Sequence, residues 1–338
     1  MLKISIIVPT RDRSKDLENL MINLLNQSYP NFEVIILDDS PKETARRVVE
    51  TYKPLFTARG IDLKYIVSRR HEGLTVARNL GIKLASGDIV LFLEDDVVLL
   101  NKDSLKNLAK IYEEFPDAIC IQPYIVTLGL DTSKYTLIDN LKNAAAKALM
   151  LMYRKDNASA VRKSCMPLLP RRITLDKIKV QRHSGVTSCR KFIYSEVKYD
   201  ENLKLWGYME DLDFSYRVYK KYPGSLYITS RVMVLHKKSQ EARLPSKVAV
   251  YMMTIYWFYV FFKDVYDSSL LNLMAFLYAL VGNIIANLLK LLVERRPKAA
   301  WLIILWLLSS YAIAFENLRH IISRNLEFFN RELLSKTT

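Results

Sequence analysis

An apolar run, Ile89-Val90-Leu91-Phe92-Leu93, opened by Gly87-Asp88, leads directly into Glu94-Asp95-Asp96-Val97. A run of this length reads as a strand buried on both faces, the kind found in parallel sheets. Adjacent carboxylates at its end repel one another, so a fold keeps them together only when something cationic neutralises them. A hard divalent ion such as Mg²⁺ or Mn²⁺, held by carboxylate oxygens and carrying phosphates, meets that need. An acidic loop after a buried strand is the plainer alternative.

The surrounding sequence repeats the pattern. Ile4 to Val8 reads as a first strand, followed by the turn Pro9-Thr10-Arg11-Asp12-Arg13. Leu17, Leu20, Met21, Leu24 and Leu25 then give a helical stripe, with Asp12 or Ser14 as N-cap. Phe32 to Leu37 is a second strand and ends in Asp38-Asp39. Val48, Val49, Tyr52 and Phe56 mark a helix, Leu63 to Val67 a strand, and Leu74, Ala77, Gly81 and Leu84 another helical face. A helix around Leu105, Leu108 and Tyr112 precedes a strand at Ala118 to Ile121. Strands alternating with helices imply an α/β fold with an open, mostly parallel sheet, whose ligands bind at the carboxyl ends of the strands. Thr10-Arg11-Asp12-Arg13, Asp38-Asp39-Ser40 and Glu94-Asp95-Asp96 all fall at such ends. Their convergence suits a ligand with a base, a ribose and phosphates.

The 338 residues suffice for one large domain and an appendage, and apolar residues dominate after about Ser246. The segment Met1 to Val8 is too short for a signal-peptide core and runs into Pro9, so the N-terminal domain is expected to stay in the cytoplasm. Cys120, Cys165 and Cys189 are odd in number and widely spaced, matching neither a disulfide framework nor a zinc site. The net charge of +15 is concentrated: Arg154 to Lys191 holds eleven Lys or Arg and two Asp. Beside membrane-length apolar runs, such a segment faces anionic lipid headgroups or a phosphorylated lipid rather than nucleic acid; a solvated basic loop is the alternative.

Several stretches together resemble family 2 glycosyltransferases, which have the GT-A fold. They are Ile6-Ile7-Val8-Pro9-Thr10-Arg11-Asp12-Arg13, Ile36-Leu37-Asp38-Asp39-Ser40, Gly73-Leu74-Thr75-Val76-Ala77-Arg78-Asn79 and Phe92-Leu93-Glu94-Asp95-Asp96. Tyr199-Asp200-Glu201-Asn202-Leu203, the stretch Trp206 to Arg217 containing Glu210-Asp211, and His236 continue the likeness across roughly residues 4 to 240.

The resemblance implies roles. Asp39 would accept from a ring N–H of the base, with Thr10 and Arg11 against the same nucleoside; capping of the next helix by Asp38 or Asp39 is the structural alternative. Arg78 joins the nucleotide-sugar residues, or else pairs with a sheet-end carboxylate. The family's metal motif is Asp-any-Asp, and its first position here is Glu94. Asp96 is therefore the expected direct ligand, while Glu94 serves the ribose or a metal-bound water and Asp95 stays with the nucleotide-sugar group. His236 would be a third ligand, or otherwise a surface residue. Asp211 matches the family's catalytic base, with Glu210 beside it raising its proton affinity. Asp213 and Arg217, at i and i+4, form a supporting ion pair. Inversion at the anomeric carbon is likewise implied by the resemblance.

Residues 1–245 are thus expected to form the catalytic domain, with an acceptor-side insertion over about 123–183 that includes a helix at Ala144 to Met152. Val248 to Phe262 reads as an interfacial or linking helix within 246–269. Residues 270–317 hold two membrane candidates, Leu270 to Val293 and Ala299 to Phe315, and 318–338 form a basic tail. The basic stretch Glu294-Arg295-Arg296-Pro297-Lys298 would lie outside under two spans and inside under three. The expected partners are a nucleotide-sugar donor, a lipid-linked or membrane-proximal acceptor and membrane lipids, or a second copy of the chain packed on a soluble helical layer. The expected function is an inverting, metal-dependent glycosyltransferase on the cytoplasmic side of the cell membrane; the alternative is an inactive, nucleotide-binding membrane scaffold.

Overall fold

The computed structural model describes residues 1–68, 73–127, 148–149, 160–168, 176–239, 241, 246–291 and 297–335. Most of the helix expected at Ala144 to Met152 and the stretch 292–296 lie outside them. The chain divides into two units, Met1–Leu130 with Arg171–Arg243, and Asp131–Pro170 with Leu244–Thr338.

In the first unit, β1 (Ile4–Thr10), α1 (Ser14–Leu25), β2 (Phe32–Asp38), α2 (Arg46–Ala58), β3 (Asp62–Val67), α3 (Leu74–Leu84) and β4 (Ile89–Phe92) follow in order. Then come β5 (Val97–Leu99), α4 (Ser104–Glu114) and β6 (Cys120–Thr127). In the second unit lie β7 (Ala160–Val161) and β8 (Pro167–Leu168), which form a hairpin. The first unit resumes with β9 (Lys177–Lys179), β10 (Thr187–Arg190), α5 (Ile193–Glu196), α6 (Glu210–Lys221) and β11 (Leu226–His236). Its sheet runs β3-β2-β1-β4-β10-β6-β11-β5, with β9 also on β11. Strands β1 to β4 are mutually parallel, as are β6 and β11, while β10 enters antiparallel between β4 and β6. The sheet is therefore mixed and mostly parallel.

Alternation along the strands divides the core. Ile4, Ile6, Val34, Ile36 and Leu91 face α1, α2 and α4. Ile7, Ile35, Leu37, Val90 and Phe92 face α3 and α6. With both faces covered, every residue of β2 is buried, which is why these strands read as continuous apolar runs.

The apolar run that opens at Ile89 forms the buried strand β4, which stops at Phe92; the acids after it form a turn, and Val97–Leu99 restart as β5, antiparallel to β11. Two expectations need correction. Neither expected residue caps α1. Ser14 is already helical, Arg13 holds the N-cap position, and Asp12 sits at φ +53°, a left-handed conformation that Asp tolerates. The cysteine reading is also overturned, because Cys120 and Cys189 are joined, with an S–S distance of 2.04 Å. They are direct partners across the antiparallel β10–β6 pair, a juxtaposition made by strand order rather than spacing. Cys165 is free and buried.

Gly73 opens α3 where the backbone must take φ +97° and approach Leu205 closely. A Cβ there would lie 2.3 Å from Leu205 N and 2.4 Å from Leu205 O. Gly73→Ala should therefore cost at least about 1–3 kcal/mol, read as a lower urea midpoint with unchanged slope.

The second unit holds α7 (Ser246–Val260), extended by a π-helical turn at Phe261–Val265, then α8 (Leu270–Leu291), α9 (Pro297–Glu316), α10 (Leu318–Ile322) and α11 (Glu327–Ser335). Phe261 stacks on Phe276, and hydrogen bonds join Thr254 to Ser310 and Asn283 to Tyr311. The hairpin turn is tied in by Trp257 Nε1 donating to Ser164 O and Asn272 Nδ2 to Lys163 O. By length and composition, Ser246–Val265 and Leu270–Leu289 could each cross a membrane, and Trp301–Glu316 is a shorter apolar helix. In the helix expected to be interfacial or linking, Val248 to Phe262, residues Ile255 to Phe261 are all buried within the unit, while α8 exposes an apolar stripe, Leu271, Met274, Tyr278, Val281, Ile285 and Leu288.

Candidate active site at the carboxyl edge of the sheet

The parallel register aligns Thr10 with Asp38 and Ile7 with Phe92, so the chain leaves β1, β2 and β4 along one edge. The two acids after β2 take different jobs. Asp38 is buried and accepts from Ser40 N (2.9 Å), Ala45 N (3.1 Å) and the Tyr65 hydroxyl (2.8 Å). It therefore shapes the turn into α2. Asp39 instead meets Arg11, Nη1 to Oδ2 at 3.4 Å, while its amide is held by Thr10 O at 2.9 Å.

After β4, alternate acids diverge. Glu94 and Asp96 meet His236, whose Nε2 lies 3.2 Å from Glu94 Oε2 and 3.3 Å from Asp96 Oδ1. The last residue of β11, His236, is brought there because β11 pairs with β5 and sets it opposite Val97. One ligand atom from each of the three residues lies within 4.8 Å of the others. Hydrogen bonds to Asp96 and Glu94 raise the imidazole pKa to about 10. Burial alone would raise that of Asp96, but His236 and the Ser239 amide more than offset it, keeping Asp96 ionised. Two hard carboxylates and an imidazole nitrogen fit Mn²⁺ or Mg²⁺, a cation taking the place of the ring proton.

Asp95, expected among the nucleotide-sugar residues, lies against the turn after β1. It is buried, with Oδ2 accepting from Thr10 Oγ1 (2.8 Å) and Oδ1 from Arg13 Nη1 (3.2 Å). Burial pushes its pKa to about 7. It braces the turn from below. Arg13 had no assigned role, yet its Nη1 also lies 4.0 Å from Asp96 and its guanidinium 6.0 Å from the Trp206 ring centre. Its place in the Thr10–Arg13 turn was the only sequence signal.

The second acidic pair opens α6, after Met209 turns the chain at φ +71°. Glu210 is buried and pairs with Arg78, Nη1 to Oε1 at 3.0 Å. Arg78 is 1 % exposed, lies 5.3 Å from the Phe92 ring centre and 5.0 Å from that of Tyr199, and donates to Gly185 O at 3.2 Å. Of the two readings of Arg78, pairing is what is seen, with the helix acid rather than a sheet-end carboxylate. Burial first, and then Asp211, push the Glu210 pKa to about 7, while Arg78 opposes them. Asp211 is more open, its side chain 23 % exposed, and holds Arg182 Nη2 at 2.8 Å. Arg182 was not anticipated, because 29 residues separate it from Asp211. Asp213 and Arg217 form the expected i,i+4 pair. His183, beside Arg182, is a framework residue: burial lowers its pKa to about 3, and its ring nitrogens meet Thr187 Oγ1 and Tyr227 O.

Residues 5–172 match the family described as Glycosyl transferase family 2. The poly(ribitol-phosphate) β-N-acetylglucosaminyltransferase TarS of Staphylococcus aureus is 32 % identical over 116 residues, covering 34 % of this chain and 19 % of TarS. Chondroitin synthase of Pasteurella multocida is 27 % identical over 237 residues, covering 64 % of this chain and 23 % of that protein. The chain thus spans only about a fifth of each relative. Among solved structures, GalNAc-T7 with UDP, GalNAc and Mn²⁺ superposes with a TM-score of 0.55 at 17 % identity, covering 84 % of this chain and 55 % of that one. S. aureus TarS 1–349 with UDP superposes at 0.50 and 18 % identity, covering 94 % and 92 %. These neighbours share the GT-A fold. The matched residues 5–172, just under half of the chain, thus carry a glycosyl transferase family 2 domain.

Proposed function

We propose that this chain is an inverting glycosyltransferase that takes a sugar from a nucleoside-diphosphate donor to a growing glycan held at a membrane. The observation that carries this reading is the meeting of three groups in one unit: Arg11–Asp39, the Glu94–Asp96–His236 cluster, and the Arg-held acids Glu210 and Asp211. UDP is the favoured nucleotide, since both structural neighbours described above hold it.

Asp39 would accept the base N–H, with Thr10 and Arg11 closing on the nucleoside. Glu94, Asp96 and His236 would hold Mn²⁺ or Mg²⁺, which when bound supplies positive charge to the diphosphate. Asp211 takes the proton from the acceptor hydroxyl as its oxygen bonds to the anomeric carbon. The electrons of the broken bond leave with the diphosphate. Attack from the opposite face inverts that carbon. Arg182 holds the Asp211 carboxylate in place, and Arg78 holds Glu210 behind it.

The apolar stripe of α8 supports a membrane-proximal acceptor. The catalytic unit would face the cytoplasm; the Cys120–Cys189 bond favours the opposite side, since disulfides persist mainly in oxidising compartments. Protease protection in sealed vesicles decides the side. The inactive-scaffold alternative rested on Glu94, and no observation favours it.

The test is a thermal-shift screen of the detergent-solubilised chain against UDP, GDP, CDP and dTDP sugars, each with and without Mn²⁺ or Mg²⁺. A UDP-sugar at 100 times its Kd should stabilise by about 2.7 kcal/mol, and only with metal present. No shift with any donor would overturn the donor site.

A further inference from the structure

We propose that Gly185 is a positioning residue for the metal cluster: the missing side chain at 185 leaves the space that the Glu94 carboxylate occupies beside Asp96 and His236. The inference rests on the metal reading above and assigns a role to a residue that is not itself a ligand.

A Cβ at position 185 would lie 2.4 Å from Glu94 Oε1 and 3.3 Å from Arg78 Nη2. Glycine is not needed there for its backbone freedom, because Gly185 is absent from the positive-φ residues. What its neighbours require is space.

The backbone around Gly185 is pinned, so it cannot yield to an added methyl. Its carbonyl accepts from Arg78 Nη2 at 3.2 Å, and Arg78 is in turn fixed by Glu210 and two aromatic rings. On one side, Ser184 N donates to Gln122 Oε1 at 2.6 Å; on the other, Val186 is 1 % exposed in the core. Glu94 is the opposite case. Its side chain is 36 % exposed and its carboxylate is the far end of a flexible chain. An added methyl would therefore displace the carboxylate rather than the fold. Glu94 would swing toward solvent, leaving Asp96 and His236 as the remaining pair.

The test uses the full-length chain in detergent, with free Mn²⁺ followed by electron paramagnetic resonance during titration. Gly185→Ala should weaken Mn²⁺ binding about 10–100-fold, the range for residues that orient metal ligands. Its metal-free melting temperature should stay within about 2 °C of the parent, as for a change that avoids the core. In a Glu94→Ala background the same substitution should make no further difference, since Gly185 acts only through Glu94. Parent-like Mn²⁺ affinity in Gly185→Ala would overturn the proposal. So would an equal loss in the Glu94→Ala background, or a large fall in melting temperature, which would show the backbone taking up the overlap. A parent protein that binds no Mn²⁺ would instead sink the metal reading, and this inference with it.

Discussion

Replacing Asp211 with Asn should lower kcat by about 10²–10⁴-fold while leaving the donor-induced thermal shift intact. Asn keeps the shape of the side chain, so the contact to Arg182 Nη2 can be retained through the amide oxygen. The carboxylate that would accept the acceptor's proton is lost. Glu210 cannot readily replace it, being buried and held on Arg78. The measurement is steady-state transfer with saturating donor, alongside a thermal shift of the same preparation. Unchanged kcat would remove the base assignment; a lost thermal shift would mean that Asp211 serves donor binding instead. Arg182→Met should have a smaller effect in the same direction, since it frees the carboxylate without removing it.

Arg78→Met should destabilise the protein by about 3–5 kcal/mol at neutral pH or above, the usual cost of leaving one member of a buried ion pair alone. Methionine fills much of the arginine's volume between Phe92 and Tyr199, so the loss reports charge more than cavity. Glu210 makes the effect pH-dependent. Burial and Asp211 already raise its pKa to about 7 against the opposition of Arg78, and removing the cation raises it further. Below about pH 6 Glu210 is protonated in parent and variant alike, and the variant's pocket is neutral. As pH rises past 7, the variant must either keep the proton or bury an unpaired charge, so its deficit grows. Urea midpoints at pH 5.5 and pH 8 measure this. A deficit equal at both would show that Arg78 acts through packing alone.

The sequence showed the outline of the fold because local burial leaves local marks. Buried strands appear as apolar runs, and α1 shows its face as Leu17, Leu20, Met21 and Leu24, all of them buried. The resemblance picked out Asp39, Glu94, Asp96, Glu210, Asp211 and His236, and the structure groups them within the first unit. What failed were the pairings. Arg78 and Glu210 are 132 residues apart, and neither carries a sign of the other. The contacts of Asp95 to Thr10 and Arg13, 85 and 82 residues away, were equally hidden. Along an irregular turn, Asp95 turns to Thr10 and Arg13 while Glu94 and Asp96 turn to His236.

By itself the sequence determined the alternation of strands and helices, the acidic strand ends and the apolar second half, since each depends on which residues a short segment must bury. Only the tertiary structure decided which acid shapes the turn into α2, which braces and which stays open; that Cys120 meets Cys189; and that Gly185 leaves room for Glu94. The reason is physical. A segment's periodicity is set by its own backbone geometry, whereas a side chain's partner is set by strand order and register, which join residues that no local pattern relates.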